Sequence, residues 1–200
     1  MHELGGGNVA VVCAADQPVV LKLNPRMEGL SIEAAALRFW RDTGAAAELL
    51  DARDDDYTLL LERLEPGTPT LEDIGRLIAR LHAAGPPPSH FPQLGDAADT
   101  DVLLHFDLHA GNAMRSGDEW KAIDPKGVRG DPHADIWALI DPLAPTEPHV
   151  ETYASAAGLD PRRVRTWVRR RALATATEPD VDDAWRRRLR LIAQRVRADQ

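Results

Sequence analysis

The 200-residue sequence has one cysteine, no apolar run long enough to cross a bilayer and no export signal. The lone Cys13 excludes an internal disulfide framework and fits a reducing compartment. Within a valine-rich run it reads as a small buried apolar residue. No stretch approaches the roughly 18 apolar residues of a membrane helix. The opening Met1-His2-Glu3-Leu4-Gly5 has neither a basic segment nor an apolar signal region, so the expected location is cytoplasmic and membrane association is not expected. No internal repeat is present. There is no H-E-x-x-H, and His105 and His109 have no cysteine partners, which argues against zinc. Ser31, Ser89, Ser116 and Ser155 all lack a nucleophile-elbow context, which argues against a Ser-His-Asp hydrolase.

Charge is unevenly spread. The net charge is −8, yet residues 160–200 hold twelve Arg against six acidic residues, so the rest of the chain is strongly acidic. An acidic body disfavours nucleic acid as a partner and suits a cationic small molecule. The Arg169-Arg170-Arg171 and Arg186-Arg187-Arg188 runs have no aromatic platform between them and read as solvated or ion-paired helix faces.

With 44% hydrophobic residues the chain can bury a core. Residues 1–65 read as a β-rich unit with one helix. Strands are expected at Val9–Ala14, Val19–Leu23 and Tyr57–Glu62. A hairpin turn is expected at 15–18, and a helix over Ile32–Arg41 capped by Ser31, with Ile32, Ala35, Ala36, Phe39 and Trp40 on one face. Residues 66–200 read as mainly helical. Thr70 caps a helix running to about Gly85, and Pro86-Pro87-Pro88 starts a linker to about Thr100. Short strands follow at Val102–His105, Asn112–Arg115 and Trp120–Asp124. Ala134–Ile140 reads as a helix interrupted by Pro142, Pro145 and Pro148. Helices over about 161–173 and 180–198 close the chain, the first with Asp160 as cap and Pro161 at its first position.

The chemistry is concentrated in His105-Phe106-Asp107-Leu108-His109-Ala110-Gly111-Asn112, which reads H-x-D-x-x-x-x-N, followed by Asp124 seventeen residues after Asp107. Phosphoryl transfer needs one carboxylate to hold the attacking hydroxyl and a separate amide–carboxylate pair for Mg²⁺. Asp107 suits the first task. Asn112 and Asp124, hard oxygen donors, suit the second. His105 is expected to prop the loop. His109 is open between facing the γ-phosphate and a structural place. Lys22, isolated in an apolar strand, needs a partner, and Glu33 on the next helix supplies one, giving a pair able to hold ATP phosphates. Gly6, Gly7 and Asn8 offer a glycine-rich approach to phosphate, and Glu62 and Leu64 offer backbone groups to an adenine edge. Asp135 is expected to accept backbone N–H groups of the catalytic loop, and Asp131 to cap the helix after it.

This constellation resembles the aminoglycoside phosphotransferases. Ile123-Asp124-Pro125-Lys126-Gly127-Val128-Arg129-Gly130-Asp131-Pro132, Leu61-Glu62-Arg63-Leu64-Glu65-Pro66-Gly67 and Ala157-Gly158-Leu159-Asp160 are most similar to the streptomycin and hydroxyurea phosphotransferase subgroup. The resemblance implies an α+β, two-lobed, protein-kinase-like fold, with a small amino-terminal β-rich lobe and a mainly helical carboxy-terminal lobe. It also implies ATP and Mg²⁺ as cofactors and O-phosphorylation of a small, cationic, streptomycin-like antibiotic, conferring resistance. Other hydroxyl acceptors (fructosamine- or hydroxyurea-kinase-like) and a degenerate nucleotide-binding module are the alternatives. Three departures from the family pattern stand out. Phe106 replaces a usual glycine. Only Met1–Leu4 precede the glycine loop, which shortens the first strand. The interval from Gly85 to His105 is too short for the usual helical insertion, so the acceptor pocket is expected to be open or completed by another copy of the chain.

Overall fold

The computed structural model describes residues 2–3, 8–14, 17–23, 29–53, 58–140 and 147–196. Its amino-terminal part is a five-stranded antiparallel sheet of β1 (His2–Glu3), β2 (Asn8–Ala14), β3 (Gln17–Leu23), β4 (Leu49–Arg53) and β5 (Thr58–Glu62), in the order β1-β2-β3-β5-β4. The central β3 pairs Lys22 with Val9 on one side and Leu59 on the other. This register holds the lysine backbone in mid-sheet, where only its side chain is free to reach the cleft. Gly6, Gly7 and the 15–16 turn lie outside the described residues. Asn8 starts β2.

Helix α1 (Gly29–Phe39) begins earlier than the apolar pattern predicts, so Ser31 falls within its first turn rather than at the cap. Its buried face also differs. Glu33, Ala34, Ala36, Leu37 and the following Trp40 are buried, while Ile32, Ala35 and Phe39 are only partly covered. The face is rotated because Glu33 has a cation to meet inside, which outweighs the preference for an all-apolar stripe.

Helix α2 (Leu71–His82) has a full capping box. The Thr70 side chain accepts from Asp73 N–H at 3.1 Å, and the Asp73 carboxylate accepts from Thr70 N–H at 2.9 Å. Its Ile74, Leu77, Ile78 and Leu81 enter the core. Gly75 lets α2 lie directly on α4 (Glu147–Ala157), since a Cβ there would stand 2.7 Å from Ala156 Cβ and 2.8 Å from Tyr153 O. Pro148, expected to interrupt structure, instead sits in the first turn of α4, where an N–H has no intrahelical partner to lose.

The segment 83–101 is a packed strap rather than a linker. Phe91 is buried and meets Phe39 edge-on at 6.3 Å. Leu94 N–H donates to Arg129 O at 2.8 Å, and Arg129 N–H donates to Pro92 O at 2.8 Å. Asp101 accepts from Gln93 Nε2 at 2.8 Å and Ala98 N–H at 3.1 Å. Beyond the strap, β6 (Val102–Leu104) pairs with β9 (Val128–Gly130), and β7 (Ala113–Ser116) forms a hairpin with β8 (Glu119–Ala122). Asp107 follows β6, while Asn112 and Asp124 flank the β7–β8 hairpin. A 3-10 turn at Pro132–Ala134 and a short α3 (Trp137–Ile140) occupy the region expected to be one helix. Helices α5 (Pro161–Thr175) and α6 (Asp183–Arg195) close the described chain, α5 with Asp160 as cap. One apolar core runs from α1 and β5 through α2, α3 and α4 to α5 and α6. No described helix is long and apolar enough to cross a membrane.

Candidate active site

The site forms where the sheet faces the β7–β8 hairpin. Lys22 Nζ lies 2.7 Å from Glu33 Oε2 and also contacts Asp124 Oδ1. Burial pushes the Lys22 ammonium down, but Glu33 and Asp124 more than restore it, so it stays charged above its ordinary range. Burial likewise pushes Asp124 up, and the Lys22 and Lys126 charges outweigh this and hold the carboxyl below its ordinary range. Glu33 Oε1 is buried without a hydrogen-bond partner among the described residues.

Asp107 and Asn112 are held by backbone geometry. His105 is fully buried and stacked against Trp40, with centroids 6.2 Å apart. Its Nε2–H donates to Ile123 O at 2.9 Å, and its Nδ1 accepts Asp107 N–H at 3.3 Å. Burial holds this imidazole below its usual pKa and therefore neutral, which the accepting Nδ1 requires. Asn112 Nδ2 donates to Asp107 O at 2.9 Å, which fixes the amide and leaves its carbonyl oxygen as an acceptor. Asp135 receives His105 N–H and Phe106 N–H, each at 2.8 Å, on its two oxygens, and His82 Nε2 at 3.2 Å. Tyr153 donates its hydroxyl to Asp135 O. Asp131 binds His133 Nδ1 at 2.7 Å, Arg163 at 2.7 Å and Trp167 Nε1 at 2.9 Å, tying α5 to the turn after β9.

Among the described residues two non-glycine residues adopt left-handed backbone conformations, Phe106 (φ 66°) next to Asp107, and Asp124 itself (φ 63°). Such residues cost roughly 1–3 kcal/mol each and persist only where the surroundings hold them. At Phe106 this is the physical reason a glycine suits the position. The ring is compensated by the Arg171 guanidinium 4.6 Å from its centroid, and Trp137 flanks the same guanidinium at 5.3 Å.

A cavity of about 360 Å³ opens beside Lys22, Glu33 and Asp124 and extends to Leu61, Glu62 and Leu64. The Glu62 side chain accepts from Lys121 Nζ at 2.5 Å and Glu48 N–H at 2.7 Å, while Glu62 N–H is engaged with Glu48 O. His109 accepts Gly111 N–H at 3.0 Å through Nδ1, capping the 3-10 turn that carries Asn112. Among the described residues no group of three or more His, Cys, Asp or Glu could hold a metal. Two oxygen donors, Asn112 and Asp124, suit Mg²⁺, which keeps water and phosphate oxygens in its shell and needs no all-protein cage.

Sequence reading passed over Lys121 and Lys126. Lys126 Nζ lies 3.4 Å from Asp107 Oδ2. A compositional signal was available: of 24 basic residues only Lys22, Lys121 and Lys126 are lysine. Each of the three pairs with a carboxylate of this site.

The backbone matches solved kinases of small molecules. A choline kinase from Streptococcus pneumoniae superposes with a TM-score of 0.71 at 14% identity, covering 98% of this chain and 92% of that one. A second structure of that kinase, in complex with AMP, matches with a TM-score of 0.69. The class is therefore a protein-kinase-like fold. Residues 91–182 match the aminoglycoside/hydroxyurea antibiotic resistance kinase family. The streptomycin 6-kinase of Streptomyces glaucescens is 30% identical over 61% of this chain and 54% of its own length. The hydroxyurea phosphotransferase of Kitasatospora aureofaciens is 29% identical over 84% of this chain and 64% of its own length. Within the class the chain is similar to these streptomycin and hydroxyurea phosphotransferases, and it spans between about half and two thirds of their length.

Proposed function

We propose that this chain transfers the γ-phosphoryl group of ATP to a hydroxyl of a small, cationic, streptomycin-like molecule in the cytoplasm. The observation that carries the reading is that Lys22, Glu33 and Asp124 meet beside one cavity, which the loop carrying Asp107 and Asn112 lines through Gly111. The nucleotide would lie in the cavity between Lys22 and Leu64, with Glu62 and Leu64 at its adenine end. Lys22, held by Glu33, would position the phosphate tail. Asn112 and Asp124 would hold Mg²⁺, which when bound neutralises phosphate charge. Asp107 would orient the acceptor hydroxyl in line with the γ-phosphorus and take its proton late in the transfer. His109 builds the turn under Asn112, which favours positioning over phosphate contact.

The test is ATP-dependent phosphate transfer by the purified chain to streptomycin, hydroxyurea and a panel of other hydroxyl acceptors, with Asp107→Ala beside it. Transfer to streptomycin that vanishes in the variant supports the reading. Transfer only to other acceptors would keep the chemistry and change the substrate, an outcome favoured by the short strap 83–101, which has no helix to wall the acceptor side. Nucleotide binding with no transfer to any acceptor would make the chain a sensing module.

A further inference from the structure

We infer that Lys126 is a catalytic residue that bridges Asp107 and the phosphoryl group in flight, an assignment that rests on the kinase reading. Its backbone is fixed from three sides. Lys126 N–H donates to His105 O at 2.9 Å. Pro125 before it is buried. Gly127 after it, at φ 58°, is wedged so tightly that a Cβ would stand 2.9 Å from Ile32 of the Glu33 helix and 3.4 Å from Phe91. Only the side chain can move, and it is half exposed, with Nζ 3.4 Å from Asp107 Oδ2. Its charge also acts on Glu33 and Asp124. The ammonium therefore lies beside the acceptor-orienting carboxylate, two residues along the chain from Asp124.

The other two lysines are committed elsewhere, Lys22 to Glu33 and Asp124 and Lys121 to Glu62. In-line transfer brings an anionic γ-phosphate and the Asp107 carboxylate to opposite sides of one hydroxyl, with reacting atoms about 3–3.5 Å apart. Two anions at that range repel unless a cation lies beside them. Lys126 is that cation. In the step, the acceptor oxygen bonds to the γ-phosphorus and the bond to the β-phosphate oxygen breaks. ADP leaves with the electron pair, and the hydroxyl proton passes to Asp107. Lys126 donates to a γ-oxygen as charge builds there.

The experiment compares Mg-ADP affinity with and without aluminium fluoride, a mimic of the transferring group, in wild type, Lys126→Met and Lys126→Arg. Analogues of the transition state bind more tightly than ground-state ligands. Fluoride should tighten Mg-ADP binding to wild type. Lys126→Met should bind Mg-ADP within about 3-fold of wild type but lose most of the fluoride enhancement, and its turnover should fall by about 10²–10³-fold. Lys126→Arg should recover part of both. Full enhancement in Lys126→Met overturns the assignment and leaves the kinase reading standing. A loss of more than about 10-fold in Mg-ADP affinity itself also overturns it, by making Lys126 a ground-state nucleotide ligand. If wild type does not bind Mg-ADP, the kinase reading falls and the assignment with it.

Discussion

Two groups of aspartates lie within a few residues of one another and do opposite things. Asp135 has a side chain with no solvent exposure and is filled by two backbone N–H donors and His82. Asp131 has three side-chain partners on α5 and its own turn. Asp107 and Asp124, by contrast, keep 26% and 43% of their side-chain surface exposed and, among the described residues, pair with Lys126 and Lys22. Carboxylates whose oxygens are taken up by several fixed donors are supports, whereas those with capacity to spare are available to ligands. The difference also locates the strain. The supports fix the loop firmly enough to hold Phe106 and Asp124 in left-handed conformations.

The comparison can be broken most sharply at Asp107. Asp107→Ala should lower turnover about 10³–10⁴-fold while the thermal midpoint moves by no more than about 2 °C. A variant that instead fails to fold would place Asp107 among the supports. Asp135→Ala should do the reverse, removing about 3–5 kcal/mol of stability in denaturant unfolding, because two backbone donors and a histidine lose a buried anionic partner.

Acid sharpens the contrast further. Burial pushes the Asp131 and Asp135 carboxyls up, and their hydrogen bonds and neighbouring histidine or arginine partners more than reverse this, so both are held low. A carboxyl whose folded pKa is depressed contributes stability above its unfolded value of about 4 and loses it as pH falls below that. His105, depressed by burial, has the same sign in a higher window, so its loss begins as pH falls below about 6.5. Urea midpoints should therefore decline in two stages. Asp131→Asn should cost about 1 kcal/mol at neutral pH, a value discounted for solvent screening, and should flatten only the lower stage. An unchanged lower stage would remove Asp131 from the supports. The smallest effect is a control away from the site. Thr70→Ala should cost about 1 kcal/mol through the lost cap and leave turnover per folded molecule unchanged.

Legibility in the sequence followed locality. The Thr70 and Asp160 caps and the β-rich runs of the central strands are set by neighbours along the chain, and each lies in the element the residues suggest, whereas Asn112, expected to start a strand, closes a 3-10 turn before it. Helix α4 was missed because Pro148, read as a breaker, is harmless in a first turn. The strap was read as a linker because nothing local reveals that Phe91 finds Phe39. The α1 face was misplaced because Glu33 is buried for the sake of a lysine eleven residues earlier.

By itself the sequence determined the chemical inventory: an H-x-D-x-x-x-x-N loop, a second aspartate at a fixed offset, an isolated strand lysine, and a lysine content of three. Those are properties of residue type and spacing, which survive any folding. Only the tertiary structure decided which aspartates are saturated and which are open, how the Asn112 amide is oriented, and that each of the three lysines meets a carboxylate around one site. Saturation and convergence depend on distances between residues up to 102 positions apart, and those distances are created when the sheet, the strap and the helices pack on one core.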